Sequence, residues 1–381
     1  MDFDLNAEQQ ALQTNVRNFA EKEISPLVQE AEEKEKYPVA LFSRMGSLGY
    51  LCPRYPKELG GLGLGKIGDC ICVEEVSRIC AGIAAGITTQ CGIGTSAIFS
   101  HGSEAQKEKY LIPAIKGKKI GAFALTEPKA GSDAAAIEAT AAPGNGAYTV
   151  NGRKIFITNG PIADFVLVAA YTDKAKGPGK GVSLFVIEKG TPGFTATKMH
   201  KFCFRASENG ELIFQNCNVS KDQLIGEEGR GFPYVMEILA GGRISHSARS
   251  LGIAQAAYEA SIDYSKKRVQ FGQPIASFEA VTFKIVQMAV EIEAARWLMY
   301  RAAWLYDKGR EHFKEAAAAK YLSAEVAVRV TNDAMKVHGG CAFTSDSPVQ
   351  RYFRDARLAT ITEGTSEIQQ LIIGRQLGLT K

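Results

Sequence analysis

The chain has 381 residues, 45% of them hydrophobic and 23% charged, with 45 Lys and Arg against 41 Asp and Glu. That length sustains a large core and about two to three domains, and the composition is that of a globular protein. The formal charge of +4 is spread without a basic block, which excludes a nucleic-acid partner, and no apolar run reaches the roughly 20 residues of a membrane helix.

The opening Met1-Asp2-Phe3-Asp4-Leu5-Asn6 is acidic and lacks the apolar core of a secretory leader and the Arg- and Ser-rich character of a transit peptide, so a cytoplasmic location is expected. Asn6 with Gln9 has capping-box spacing, Leu12, Val16, Phe19 and Ala20 keep helical period, and Ser25-Pro26 reads as a stop. Further helices are predicted over 39–48, 65–79, 84–99 and 104–115, making residues 1–117 an α-helical domain. Within it Gly60-Gly61-Leu62-Gly63-Leu64-Gly65-Lys66-Ile67 nearly spells a phosphate loop. It has Ile67 where a Ser or Thr should hold magnesium, and no strand precedes it, so a glycine-rich loop leading into a helix is the preferred reading.

Residues 118–230 change texture. Asn145-Gly146 and Asn151-Gly152 are tight-turn signals among short β-rich runs at 148–150, 154–158, 164–171, 181–187 and 211–214, which predicts an antiparallel β domain, sandwich or barrel. Residues 231–381 return to long helices, predicted over 244–269, 278–308 and 314–337, as a four-helix-type bundle. The fold class is therefore α+β, in the order α, β, α, without the alternating βα units of a nicotinamide-binding domain. Cysteines at 52, 70, 72, 80, 91, 203, 217 and 341 form no CxxC pair, which argues against a zinc site or disulfide scaffold and suits a reducing compartment.

The stretch richest in chemistry runs from Arg354 to Gln369. Thr360-Ile361-Thr362 is β-branched and extended in character, Gly364 permits a sharp bend, and Ser366 with Gln369 has capping-box spacing for a helix over 368–377. Glu363 thus falls on a bend ahead of a helix N-terminus, where a carboxylate can serve as a base. Upstream, Phe123-Ala124-Leu125-Thr126 ends in a hydroxyl, and Gly131-Ser132 is compact enough for a phosphate to approach. Phe156-Ile157-Thr158 adds an aromatic and a second hydroxyl, and Arg268, Phe271 and Gln273 add a cation, an aromatic and an amide. His338-Gly339-Gly340 and Glu363-Gly364-Thr365-Ser366 complete the series.

This series, in this order and over essentially the whole chain, resembles the acyl-CoA dehydrogenase family, FAD-dependent enzymes of α, β, α arrangement that are usually homotetramers. Flanking segments at 106–114, 224–232 and 351–357 match as well. The resemblance implies a cofactor set of Phe123, Leu125, Thr126, Ser132, Phe156, Thr158, Arg268, Phe271, Gln273, Gly340, Thr365 and Glu367, with Arg268, Phe271 and Gln273 reaching the FAD of a neighbouring subunit. It implies substrate contacts from Cys91, Ser132, Arg243, Thr362 and Gly364, and Glu363 as the base that removes the α proton of an acyl-CoA while hydride leaves the β carbon for flavin N5. No metal is implied, and electron-transferring flavoprotein is the implied electron acceptor.

Four positions bear on that pattern. Some relatives place the base where Gly242 stands, so Glu363 has no rival here. Thr362 replaces a usual aromatic, Phe156 a usual tryptophan, and Lys336 a common glutamine near the neighbouring FAD. Thr88-Thr89-Gln90-Cys91 falls on the helix that lines the acyl pocket in the family. With Thr362 it suits a short, bulky or cyclic acyl group such as an alicyclic carboxyl-CoA. An acyl-CoA oxidase passing electrons to oxygen is the alternative on the same scaffold, and a flavin-binding protein without chemistry is the third reading. Glu363 with Thr126 and Thr158 speaks against the last.

Overall fold

A computed structural model describes residues 4–144 and 146–379; Met1-Asp2-Phe3 of the acidic opening and Asn145 of the first turn signal lie outside the described residues. Helix α1 (Ala7–Phe19) begins on the expected capping box, Asn6 Oδ1 accepting from Gln9 N at 2.9 Å and Gln9 Oε1 accepting from Asn6 N at 3.0 Å. Ser25-Pro26 does not stop the chain. A π-helical turn (Ala20–Ile24) and a 3₁₀ turn (Ser25–Leu27) run straight into α2 (Val28–Glu33), because a proline in the first turn of a helical segment removes an N–H that has no partner there. After α3 (Ala40–Ser47) and α4 (Gly65–Ile79), the helix predicted over 84–99 is divided into α5 (Ala81–Thr88), a π-helical turn (Thr89–Ile93) and α6 (Ser96–His101). Gly92 and Gly94 weaken the helix at that point. Then α7 (Glu104–Gln106) and α8 (Ile112–Ile115) lead to the sheet.

The sheet has seven strands: β1 (Gly121–Ala124), β2 (Thr140–Gly144), β3 (Ala147–Thr158), β4 (Phe165–Tyr171), β5 (Val182–Glu188), β6 (Phe194–Lys198) and β7 (Asn209–Ser220), ordered β1-β4-β2-β3-β7-β6 with β5 on β4. It is mixed, which corrects the wholly antiparallel expectation: β1 runs parallel to β4 from Gly121↔Phe165 to Ala124↔Val168, and β2 touches β4 in parallel at Thr140↔Tyr171. Spacing of apolar residues carries no direction, so a four-residue strand gave no sign of it. Alternation sorts β4 between two cores. Phe165, Leu167, Ala169 and Tyr171 face the helices, while Val166, Val168 and Ala170 face a core inside the curled sheet with Phe185, Leu212 and Phe214. Burial on both faces explains the unbroken apolar run.

A short helix, α9 (Pro178–Gly181), precedes β5. The bundle consists of α10 (Gly231–Lys267), α11 (Glu279–Asp307), α12 (Phe313–His338), α13 (Pro348–Ala359) and α14 (Ser366–Gln376), with a two-stranded hairpin, β8 (Val269–Gln270) and β9 (Gln273–Pro274), between α10 and α11. Helix α10 starts 13 residues before the predicted Ile244, at Gly231. Gly241-Gly242 depress helix propensity by roughly 1 kcal/mol each and hid the first part from a reading of periodicity. Side chains of α4, α5 and α10 join the bundle in one core, so the stretch after α13 that carries Glu363 is enclosed by both helical regions.

Candidate active site

The segment after α13 is not extended. Thr360 has φ −79° and ψ −6°, and Thr362 N donates to Leu358 O at 3.1 Å, continuing the helix by a turn. The bend then comes where expected, at Glu363 (φ 56°) and Gly364 (φ 90°). A non-glycine residue in the left-handed region needs support from its surroundings, and three groups supply it. Lys320 Nζ donates to Gly364 O at 2.6 Å, Gln369 Nε2 to Glu363 O at 3.1 Å and Gly364 O at 2.9 Å, and Ser366 N to Thr360 O at 3.0 Å. The capping box assigned to Ser366 and Gln369 is corrected. Thr365 is the N-cap, its hydroxyl accepting from Ile368 N at 3.3 Å, and Gln369 is taken up by the two carbonyls of the bend.

This backbone aims Glu363 at α10. Its Oε2 is buried without a hydrogen-bond partner, and among the described residues no group accepts from its backbone N–H. A Cβ on Gly242 would lie 2.7 Å from Oε2 and 2.9 Å from Ile93, so glycine there leaves the space the carboxylate occupies. Three buried cations, Arg243, Arg249 and Lys320, act on the Glu363 carboxylate. Burial pulls Lys320 down to about 8 against the attraction of Glu363. His246 Nε2 lies 2.9 Å from Thr362 Oγ1, which also bonds Leu358 O at 3.2 Å. Burial, with Arg249 and Lys320 nearby, pulls His246 well below its ordinary range, so it is the neutral ring. That threonine hydroxyl is therefore tied to protein.

A second group of predicted residues lies along the ends of β1 and β3. Phe123 and Leu125 are buried, and Thr126 O accepts from Ile155 N at 2.9 Å. Lys154 Nζ donates to Leu125 O at 3.0 Å and pairs with Glu127 at 2.7 Å, and Glu127 also accepts from Glu138 N and Ala139 N. Burial lowers Lys154 to about 8 despite that pair. Beside it β3 slips register between Lys154 and Ile157, and Phe156 takes φ 61° with its ring 61% exposed. Thr158 Oγ1 accepts from Asn209 Nδ2 at 2.8 Å, and Ser132 is exposed on the loop after β1.

Elsewhere the predicted residues are distributed. Arg268, Phe271 and Gln273 stand exposed on the β8-β9 hairpin, Phe271 at 94%, and Gly340 and Glu367 are exposed near the ends of α12 and α14. Lys336 pairs with Asp333 at 2.9 Å on the surface of α12. Cys91 is buried, its thiol pushed up to about 12 by burial and directed at Thr88 O at 3.8 Å, so it is packing and not a nucleophile. Thr88 donates to Ala84 O, and the Gln90 amide joins Ala114 O, Lys119 O and Gly121 N. The Gln90 amide ties its π-helical turn to α8 and β1, while the Thr88 hydroxyl bonds within its own helix. In the glycine-rich loop, Asp307 of α11 accepts from Lys66 N at 2.6 Å and Ile67 N at 3.3 Å, so the anion at the start of α4 belongs to the protein.

Family profiles for the N-terminal, middle and C-terminal domains of acyl-CoA dehydrogenase match residues 6–118, 122–217 and 229–378. The chain belongs to the acyl-CoA dehydrogenase family. It is 42% identical to the short-chain specific acyl-CoA dehydrogenase of Clostridium acetobutylicum over 378 residues, 99% of this chain and 100% of that one. Butyryl-CoA dehydrogenase from Megasphaera elsdenii has the same fold at a TM-score of 0.96 and 41% identity, covering 99% of this chain and all of that one. A chain from a structure of the electron transferring flavoprotein of Acidaminococcus fermentans matches with a TM-score of 0.97 and 42% identity over 99% of both chains.

As an acyl-CoA dehydrogenase the enzyme is an oxidoreductase acting on a CH–CH bond with FAD as cofactor. The residues present fit that cofactor: a large aromatic, Phe156, left open beside a buttressed strand end is a face for a flat ring, with Thr158 two residues on in β3 and Thr126, just past β1, bonded to Ile155 through its carbonyl. Lys154, Glu127, Lys320, His246, Arg249 and Gln369 were missed as parts of the site. Lys154 carried a signal, since a lysine interrupts the apolar period of its strand, and it stands on the buried side. Lys320 carried none within its alanine-rich helix.

Proposed function

We propose that this acyl-CoA dehydrogenase oxidises a short-chain acyl-CoA, with Glu363 removing the α proton. One observation supports this reading above others: a single residue presents both a buried carboxylate oxygen and a backbone N–H with no protein partner, at a bend pinned by Lys320 and Gln369. Leaving buried polar groups unmet costs about 1–3 kcal/mol each, so the site is built to meet them with a ligand. The carboxylate takes the proton, and the N–H donates to the thioester oxygen as it gains charge, a contribution of about 3–4 kcal/mol. FAD, when bound, supplies the acceptor for the hydride that leaves the β carbon. Arg243 faces the CoA portion, and Thr126, Thr158 and Phe156 hold and orient the flavin ring.

The short-chain assignment draws on the relatives named above, and their dehydrogenase names favour that activity over an oxidase. We assign electron-transferring flavoprotein as acceptor, a homotetramer as the working form and the cytoplasm as location. The exposed Phe271 hairpin, the apolar face of Phe283, Val286 and Val290 on α11 and eight free cysteines support the last two. The decisive experiment mixes the FAD-loaded enzyme anaerobically with a panel of short acyl-CoAs and follows the oxidised flavin band. Bleaching is expected; an FAD-saturated enzyme that no acyl-CoA bleaches is not a dehydrogenase. Light scattering tests the tetramer.

A further inference from the structure

Arg249 is a buried charge that the chemistry above leaves unused. It shares one face of α10 with Gly242 and His246, at spacings of seven and three residues, and that face runs along the catalytic bend: Gly242 borders Glu363, and His246 bonds Thr362. Arg249 is 6% exposed, and among the described residues its guanidinium makes no ion pair within 4 Å and no side-chain hydrogen bond. Its guanidinium lies over the Phe204 ring, 5.1 Å from the ring centre. The two carboxylates that act on it are committed elsewhere, Glu363 as the base and Asp355 to Phe204 N at 2.8 Å and Arg354 at 3.6 Å. Burial and the neighbouring Glu32 also push Asp355 up to about 7, which weakens it as a counter-ion. Arg243 and Lys320 add positive charge to the same cluster.

A guanidinium buried without an anion is costly, and its planar fork matches a carboxylate in two parallel hydrogen bonds. We infer that Arg249 receives a distal carboxylate on the acyl group, so that the substrate is the CoA thioester of a short dicarboxylic acid. This rests on the reading of Glu363 as the base, and it makes Arg249 a residue of substrate selection. The neutral His246 and the tied Thr362 line the path between the two ends of such an acyl group.

The test compares kcat/KM of the holoenzyme for succinyl-, glutaryl- and adipyl-CoA with the monocarboxylic thioesters of equal chain length. One dicarboxylic member should exceed its partner by roughly 100-fold, the usual worth of a buried charge pair. Arg249→Gln should abolish that ratio, and Arg249→Lys should restore part of it. The ratio is read on one preparation, so a general loss of folded enzyme lowers both values alike; should the Gln variant not fold, the wild-type preference decides. Preference for the monocarboxylic thioesters overturns the inference and leaves the base in place. If neither series bleaches the flavin, the reading of Glu363 falls with it.

Discussion

The two halves of this site are built on opposite plans. Around Glu363 the chain closes on itself: the bend is pinned by Lys320 and Gln369, Gly242 leaves the space for the carboxylate, and the cations are buried. On the side proposed for the cofactor the chain stays open, with Phe156 on a bulge, Phe271 at the tip of the β8-β9 hairpin and Arg268 and Gln273 in solvent. Proton chemistry gains from fixed, water-excluding surroundings, whereas a large cofactor has to be admitted. The closed half is built from this chain's own residues; the open half is the one that the proposed tetramer would complete.

Breaking the closed half has the largest expected effect. Glu363→Gln keeps the size of the side chain and removes the base, so single-turnover flavin bleaching should slow by about 10³- to 10⁴-fold while FAD content and acyl-CoA binding persist. Gly242→Ala puts a methyl group where Oε2 lies and forces the carboxylate aside; a rate loss of roughly 10- to 100-fold is expected, with FAD content unchanged. The open half should respond in the other currency. Phe271→Ala is expected to weaken FAD retention by about 10-fold, about 1.4 kcal/mol, and to leave the bleaching rate of the FAD-saturated enzyme intact. If it slowed bleaching as much as Gly242→Ala does, the two halves would not be separable.

The smallest effect sharpens the contrast within the sheet. Lys154 is lowered to about 8 in the fold from an ordinary 10.5, so between those values the unfolded chain binds more protons. The penalty of burying its charge is present below pH 8 and fades above it. Stability of the wild type relative to Lys154→Met should therefore rise as pH increases from about 8 to 10, which denaturant titrations at several pH values measure.

Much of this was legible in residue order. Helix α4, the turn at Glu363 and the N-cap at Asn6 follow from glycine, proline and capping chemistry, all local effects. The direction of β1 was not legible, because it is set by its partner β4, more than 40 residues later. Nor were the supports of the base: Lys320 reaches Gly364 across 44 residues, and His246 reaches Thr362 across 116. The partners of Gln90 were illegible for the same reason, since its amide is bonded to α8 and β1 in space.

Asp307 carries a consequence for how the molecule comes apart. The first turn of α4 is completed by a carboxylate supplied from 241 residues away, at the far end of α11. Melt the bundle and α4 loses its cap; melt the amino-terminal helices and Asp307 is left facing its own neighbours. The two helical stretches that family profiles treat as separate domains are thus mutual prerequisites, and heat should unfold them in a single calorimetric transition.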